Sequence, residues 1–132
     1  MMAMLMLALL LLAAPPDVSN TYRIETSQAV RLKKGESGVA RVAVVPKEGA
    51  HVSPDAPVSL TMSAGPALKL EKEKLGRKEA KETAAKGVEF DVPFTAASAG
   101  RGELKGSLSF FICTEKLCER QKREVALAVE VQ

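Results

Sequence analysis

The sequence predicts an all-β fold, an immunoglobulin-like β-sandwich, on three observations. Short apolar runs of period two recur along the chain, as in "VSLTMSA", "GVEFDVPFTA" and "REVALAVEV". Gly, Pro, Asp and Ser break these runs at short intervals, and no stretch carries a sustained helical repeat. Alternation at period two marks a strand with one buried face, and about six to eight such strands at turn-separated spacing make a sandwich. A small barrel is the competing architecture.

Each element follows from its residues. "TYRIETSQAVRLKKGESG" forms one or two strands that end in a glycine turn at Gly35 to Gly38. "VARVAVVP" is rich in β-branched residues and stops at Pro46. "KEGAHVSPDAP" reads as a loop from its glycine and prolines. In the next strand Val58, Leu60 and Met62 face one side and Ser59, Thr61 and Ser63 the other. Val88, Phe90 and Val92 share a face of a further strand, in which Pro93 predicts an edge position or a bulge. Between Leu68 and Lys86 the spacing of Leu70, Leu75 and Ala80 is not helical and Gly76 interrupts it, so a solvated loop or short edge strand is expected, with a helical turn near "RKEAKETAAKG". The last third reads as an antiparallel hairpin. Leu104, Leu108, Phe110 and Ile112 line one face of its first strand; Val125, Leu127, Val129 and Val131 line one face of its second.

Composition bounds the function. A chain of 132 residues is a single domain. With the N-terminus set aside, about 110 residues suffice for a core that does not depend on disulfides. Aromatics make up 4% and Trp is absent, so the core is built mainly from Val, Leu, Ile and Ala, with Tyr22, Phe90 and Phe94 as packing residues. The net charge of +3 comes from 19 basic and 16 acidic residues, which are interspersed as in "KLEKEKLGRKEAKE". A nucleic-acid surface concentrates basic residues on one face and adds aromatics for stacking; neither pattern is present, and the Lys/Glu run from Lys69 to Lys86 reads as a solvated face.

The first fourteen residues, "MMAMLMLALLLLAA", carry no charge and no Lys or Arg precedes the run. It is shorter than the about 20 residues that span a bilayer. With small Ala13 and Ala14 at its end, residues 1–14 read as a signal peptide, 15–20 as a linker and 21–132 as the folded domain. This predicts a periplasmic or secreted protein with no stable membrane insertion after cleavage. In such an oxidising compartment a cysteine pair persists as a disulfide.

The only cysteines are Cys113 and Cys118, at the tip of the predicted hairpin. Alternation turns Cys113 away from the Leu104 to Ile112 row and Cys118 away from the Val125 to Val131 row. Both sulfurs therefore share one face outside the main core, where directly opposed residues can be bridged. A structural and a redox-active bridge both fit. A bridge closing so short a loop contributes only about 2 kcal/mol, and an exposed bridge at a tip is easily reduced. Lys116, Arg120 and Lys122 favour a thiolate, while Glu115 and Glu119 partly offset them. No metal or cofactor site is expected: two cysteines are half of a zinc tetrahedron and the one histidine, His51, is remote in sequence. His51 reads as a polar surface or loop-anchoring residue, and no nucleophile motif beside it points to a hydrolase. Phe110 is a core residue; Phe111 shares the cysteines' face, where it either shields them or packs.

Three stretches, "KEGAHVSPDAPVSLTM", "VEFDVPFTA" and "GSLSFFICTEKLCERQKREVALAV", in this order and spacing, resemble the N-terminal periplasmic domain of the thiol:disulfide interchange protein DsbD. The resemblance runs from about Thr21 to the end. It implies an immunoglobulin-like sandwich whose hairpin cysteines, Cys113 and Cys118, cycle between dithiol and disulfide. They would pass electrons between a membrane-linked reductant and a thioredoxin-like or other protein thiol–disulfide partner. By the same resemblance Cys118 is the attacking thiol. The chain departs from the family where "ERQ" follows Cys118 in place of prolines and where Ala50, not an aromatic, precedes His51. The alternative is a non-catalytic immunoglobulin-like binding module with a structural disulfide.

Overall fold

A computed structural model describes residues 18–132. The predicted signal peptide and residues 15–17 of the predicted linker lie outside the described residues. Eleven strands follow in chain order: β1 (Tyr22–Thr26), β2 (Val30–Leu32), β3 (Ser37–Pro46), β4 (His51–Val52), β5 (Ser59–Ala64), β6 (Leu68–Leu70), β7 (Lys74–Leu75), β8 (Lys81–Glu82), β9 (Val88–Ala96), β10 (Gly100–Cys113) and β11 (Cys118–Val131). They form two sheets. The first has the order β1-β3-β9-β6, with β8 also on β9; the second has the order β2-β11-β10-β5-β7, with β4 also on β10. This is the all-β, immunoglobulin-like sandwich that the alternation predicts, not a barrel. Among the described residues no helix is long and apolar enough to cross a membrane.

The two inner faces carry the predicted rows. Val42, Val44, Val88, Phe90, Val92 and Phe94 from the first sheet meet Leu60, Met62, Leu104, Leu108, Phe110 and Val129 from the second in one core cluster. Aliphatic and β-branched residues dominate it because they fit a pleated, half-buried surface. Val18 joins the same cluster, and its carbonyl accepts from the Thr21 N–H. The folded unit therefore includes a residue that the sequence reading assigned to the linker.

Three local expectations are refined. Pro93 does not mark an edge strand: β9 lies between β3 and the pair β6 and β8. The proline is accommodated because β8 pairs only as far as Glu89 and β6 pairs only from Phe94, so no strand residue on that side of β9 calls for an N–H at Pro93, whose carbonyl accepts from the Glu71 N–H at 3.5 Å. The region from Leu68 to Lys86 forms three short strands, β6 to β8. One helical turn separates β7 from β8, with the Ala80 N–H donating to the Gly76 carbonyl. The predicted loop at residues 47–57 contains β4, which pairs antiparallel with the end of β10. Gly87, at the entry to β9, is required by close approach. A Cβ there would overlap the Val44 carbonyl oxygen and lie 2.8 Å from Pro46 Cδ.

The ladder that positions the cysteines is β10 against β11. It runs without a bulge from Gly100↔Val131 to Cys113↔Cys118. Both strands are 14 residues long, so the hairpin arm carries the pair to one end of the sandwich on continuous backbone hydrogen bonding.

Candidate functional site

Four residues, Thr114 to Leu117, connect the hairpin strands. The Thr114 N–H donates to the Leu117 carbonyl at 2.8 Å, and Thr114 Oγ1 accepts from the Lys116 N–H at 3.3 Å. Because hydrogen-bonded and non-hydrogen-bonded pairs alternate, this closing bond makes Cys113 and Cys118 a non-hydrogen-bonded pair, the closer of the two kinds. Their Cα atoms are 4.0 Å apart and the sulfurs are bonded at 2.07 Å. The disulfide is thus present, and the bulge-free register puts both cysteines on the outer face.

The two cysteines differ in exposure, which alternation by itself does not predict. Cys113 is only 3% exposed although it points away from the core. Cys118 is exposed. The difference follows from strand order: Cys113 lies on β10, flanked by β11 on one side and β4 on the other, whereas the tip of β11 has a partner on β10 only.

The neighbour on the second flank is His51. The register pairs are Cys113↔His51 and Ile112↔Val52. Val52 and Ile112 are both buried in the core, so His51 and Cys113 project together from the opposite face. The Ser53 N–H donates to the Phe111 carbonyl and the Val52 N–H donates across to the Lys86 carbonyl, both at 2.9 Å, so this short strand is held from both sides. Arg77 fixes the segment that follows, donating from Nη2 to the Ser53 and Ala56 carbonyls. The sequence reading separated His51 from the cysteines; the fold sets His51, Cys113 and Cys118 in one row across three strands. Only the pairing of β4 with β10 reveals this, and no local motif signals it.

Phe111, half-buried, precedes the row on the same face, opposite Arg120. Phe110 is fully buried in the core, as expected. Of the basic residues near the pair, Arg120 lies two residues after Cys118 on the disulfide face, where its Nε donates to Ser109 Oγ at 3.3 Å. Lys122 follows on that face, opposite Ser109, and Lys116 sits in the tip loop. Glu115 in the tip loop and Glu119 beside Cys118 partly offset these cations.

On the inner face of the same arm, three residues along the ladder from the disulfide, a buried polar cluster anchors the arm to the opposite sheet. The Tyr22 hydroxyl donates to Gln121 Oε1 at 2.7 Å, Arg123 Nη2 donates to the same oxygen at 3.2 Å, and Gln121 Nε2 donates to the Arg120 carbonyl at 3.0 Å. The Tyr22 ring meets Phe110 edge-on at 5.0 Å, and the Arg123 guanidinium lies 5.5 Å from the Tyr22 ring centre. Sequence reasoning found Tyr22 as a packing residue but missed its partners, which lie at the far end of the chain. Among the described residues the titrating group held farthest from its ordinary value lies elsewhere, at Glu79. Hydrogen bonds from Lys72 and from the Gly76 N–H hold its carboxyl down to about 2. Among the described residues no group of His, Cys, Asp and Glu could hold a metal ion.

No protein-family model matches the chain, and no curated protein matches it. Solved structures do. AggA, the major subunit of aggregative adherence fimbriae type I from Escherichia coli, is similar at 12% identity with a TM-score of 0.50, over 84% of this chain and 94% of that one. Native Escherichia coli alpha-2-macroglobulin matches at 16% identity and a TM-score of 0.47 over 84% of this chain, which spans 7% of that protein. Murine CRIg matches at 11% identity and a TM-score of 0.43, over 84% of this chain and 98% of that one. At such identities the likeness is one of fold.

Proposed function

We propose that this chain is an exported thiol–disulfide exchange domain, periplasmic or secreted, that passes electrons to or from a protein partner through Cys113 and Cys118. The observation that carries the reading is the unequal exposure of the bridged pair at the hairpin tip: one sulfur-bearing residue open to a partner, the other covered. The resemblance of the cysteine hairpin to the N-terminal domain of DsbD supports it, as do the cations beside Cys118. A thioredoxin-like protein or a membrane reductase is the class of partner that fits.

In the reduced protein the Cys118 thiolate attacks one sulfur of a partner disulfide. A bond forms between Cys118 and that sulfur, and the partner's second sulfur leaves as a thiolate. The Cys113 thiolate then attacks Cys118 Sγ, the Cys113–Cys118 bond forms and the partner departs as a dithiol. Two electrons have moved to the partner. Run in reverse, a reducing partner's thiolate attacks Cys118 and expels Cys113.

The test is the reduction potential of the pair, measured by equilibrating the protein in defined thiol buffers and counting trapped thiols. A value between about −180 and −270 mV, the range of working oxidoreductases, is expected. Cys113→Ser should then accumulate a mixed disulfide through Cys118. A value below about −300 mV overturns the reading and leaves an immunoglobulin-like binding module with a structural clip. Full transfer by Cys118→Ser would overturn the assignment of the attacking thiol.

A further inference from the structure

Exchange through this pair has a difficulty of its own. Whenever the bridge opens at Cys118, the electron pair of the broken bond stays on Cys113, which is 3% exposed. A buried thiolate away from water is disfavoured, so Cys113 requires a proton at that moment. It must give the proton up again before it can attack. Water has little access to it.

From the ladder register we infer that His51 is the proton carrier for Cys113, donating to its sulfur as the disulfide opens and accepting from it as the disulfide closes. This rests on the exchange reading above and deepens it. His51 is the one histidine in the chain and stands directly opposite Cys113 on β4, on the same face. Cβ atoms of directly opposed residues lie about 4.5–5.5 Å apart, within reach of an imidazole. His51 itself is half-buried, so it can exchange protons with solvent on one side while facing the thiol on the other. Among common side chains, histidine is the one whose ordinary titration falls between pH 5 and 8.

Charged residues line the two clefts that His51 also lines. Lys47 and Glu48 come from the turn before β4, Lys86 from the segment packed on Val52, Glu115 from the hairpin tip, and Arg77 and Glu82 from the cleft on the far side. Three are cationic and three anionic, and Arg77 is engaged with backbone carbonyls.

The steps balance. A partner thiolate attacks Cys118 Sγ, the Cys113–Cys118 bond breaks, and the Cys113 sulfur takes a proton from His51, which becomes neutral and is reprotonated from solvent. On closure neutral His51 takes the proton from the Cys113 thiol. The resulting thiolate attacks Cys118 Sγ of the mixed disulfide, and the partner's sulfur leaves with the electron pair.

The experiment isolates closure. The mixed disulfide of Cys118 with glutathione is prepared on the protein, and glutathione release is followed from pH 5 to 9. A thiol of ordinary pKa about 8.5 is only about 3% thiolate at pH 7. Burial disfavours the Cys113 thiolate further, so His51→Gln should close at least about 30-fold more slowly at pH 7, with the rate rising tenfold per pH unit toward the thiol range, while the wild-type rate levels off earlier. Coincident pH–rate profiles overturn the inference about His51 and leave the exchange reading standing. A wild-type protein that neither forms the mixed disulfide nor releases glutathione overturns both. A second measurement needs no variant: the His51 ring resonances, titrated by NMR in oxidised and reduced protein, should shift their midpoint on reduction, and an identical midpoint in the two forms overturns the inference.

Discussion

Reduction of the disulfide should weaken the domain without unfolding it, and the size of the effect can be worked from the structure. The cysteines stand 5 positions apart in sequence. A cross-link closing so short a loop removes unfolded-state entropy worth about 2 kcal/mol. Little else changes, because the β10–β11 register from Gly100↔Val131 to Ile112↔Glu119 does not depend on the bridge. The core cluster lies on the opposite face from the sulfurs. Unfolding about 115 residues at about 2.1 cal/mol/K each gives a transition entropy of about 0.24 kcal/mol/K, so 2 kcal/mol corresponds to a fall in Tm of about 8 °C. Against a total stability of about 5–15 kcal/mol the reduced form stays folded. Thermal unfolding followed by circular dichroism on oxidised and reduced protein, with thiols counted at each point, measures the difference. The Cys113→Ala/Cys118→Ala double variant should match the reduced form within a few degrees. Loss of the folded signal at 25 °C on reduction would refute the reasoning: the bridge would then be required by the fold, which a shuttle cannot tolerate. A Tm that does not move would refute the loop-entropy account.

Three further outcomes are expected. Tyr22→Phe keeps the ring against Phe110 and Arg123 and removes only the hydroxyl that donates to Gln121 Oε1. Arg123 still satisfies that oxygen, so denaturant unfolding should show a loss of about 1 kcal/mol, and an unchanged midpoint would count against the cluster as an anchor. Gly87→Ala drives a methyl group into the Val44 carbonyl and should cost about 3 kcal/mol or more; wild-type stability would mean that the backbone at the end of the β3–β9 ladder gives way at little cost. The Glu79 carboxyl, held down first by its hydrogen bond from Lys72 and then by the Gly76 N–H, should titrate with a midpoint of about 2 instead of its ordinary 4.5. Because its folded value is depressed, its contribution is present above about pH 4.5 and is lost as pH falls through about 2. A carboxyl resonance that titrates near 4.5 would show the Lys72 pairing absent in solution.

The legible part of this protein was its inner surface. Rows such as Leu104, Leu108, Phe110 and Ile112, or Val88, Phe90 and Val92, announce themselves because a strand must turn every second residue toward the core. The same counting put Cys113 and Cys118 on one outer face, and it worked because no bulge interrupts the arm. Short elements were harder. Two-residue strands such as β4 and β8 leave no period to read, and β6 to β8 are short strands at the edges of the two sheets, β6 and β8 on β9 and β7 on β5. Pro93 misled because its local rule knows nothing of where the neighbouring strands stop.

What the sequence determined by itself is therefore the fold class, the hairpin and the side of the sheet on which the cysteines stand, all consequences of period-two patterning within a single strand or hairpin. What only the tertiary structure decided is which residues stand beside them. The burial of Cys113, the exposure of Cys118, the row that begins at His51 and the anchoring of Gln121 by Tyr22 all depend on pairing between distant segments. Such pairing is set by the closure of the whole core around them, and the residues that meet across it carry no local mark of their partners.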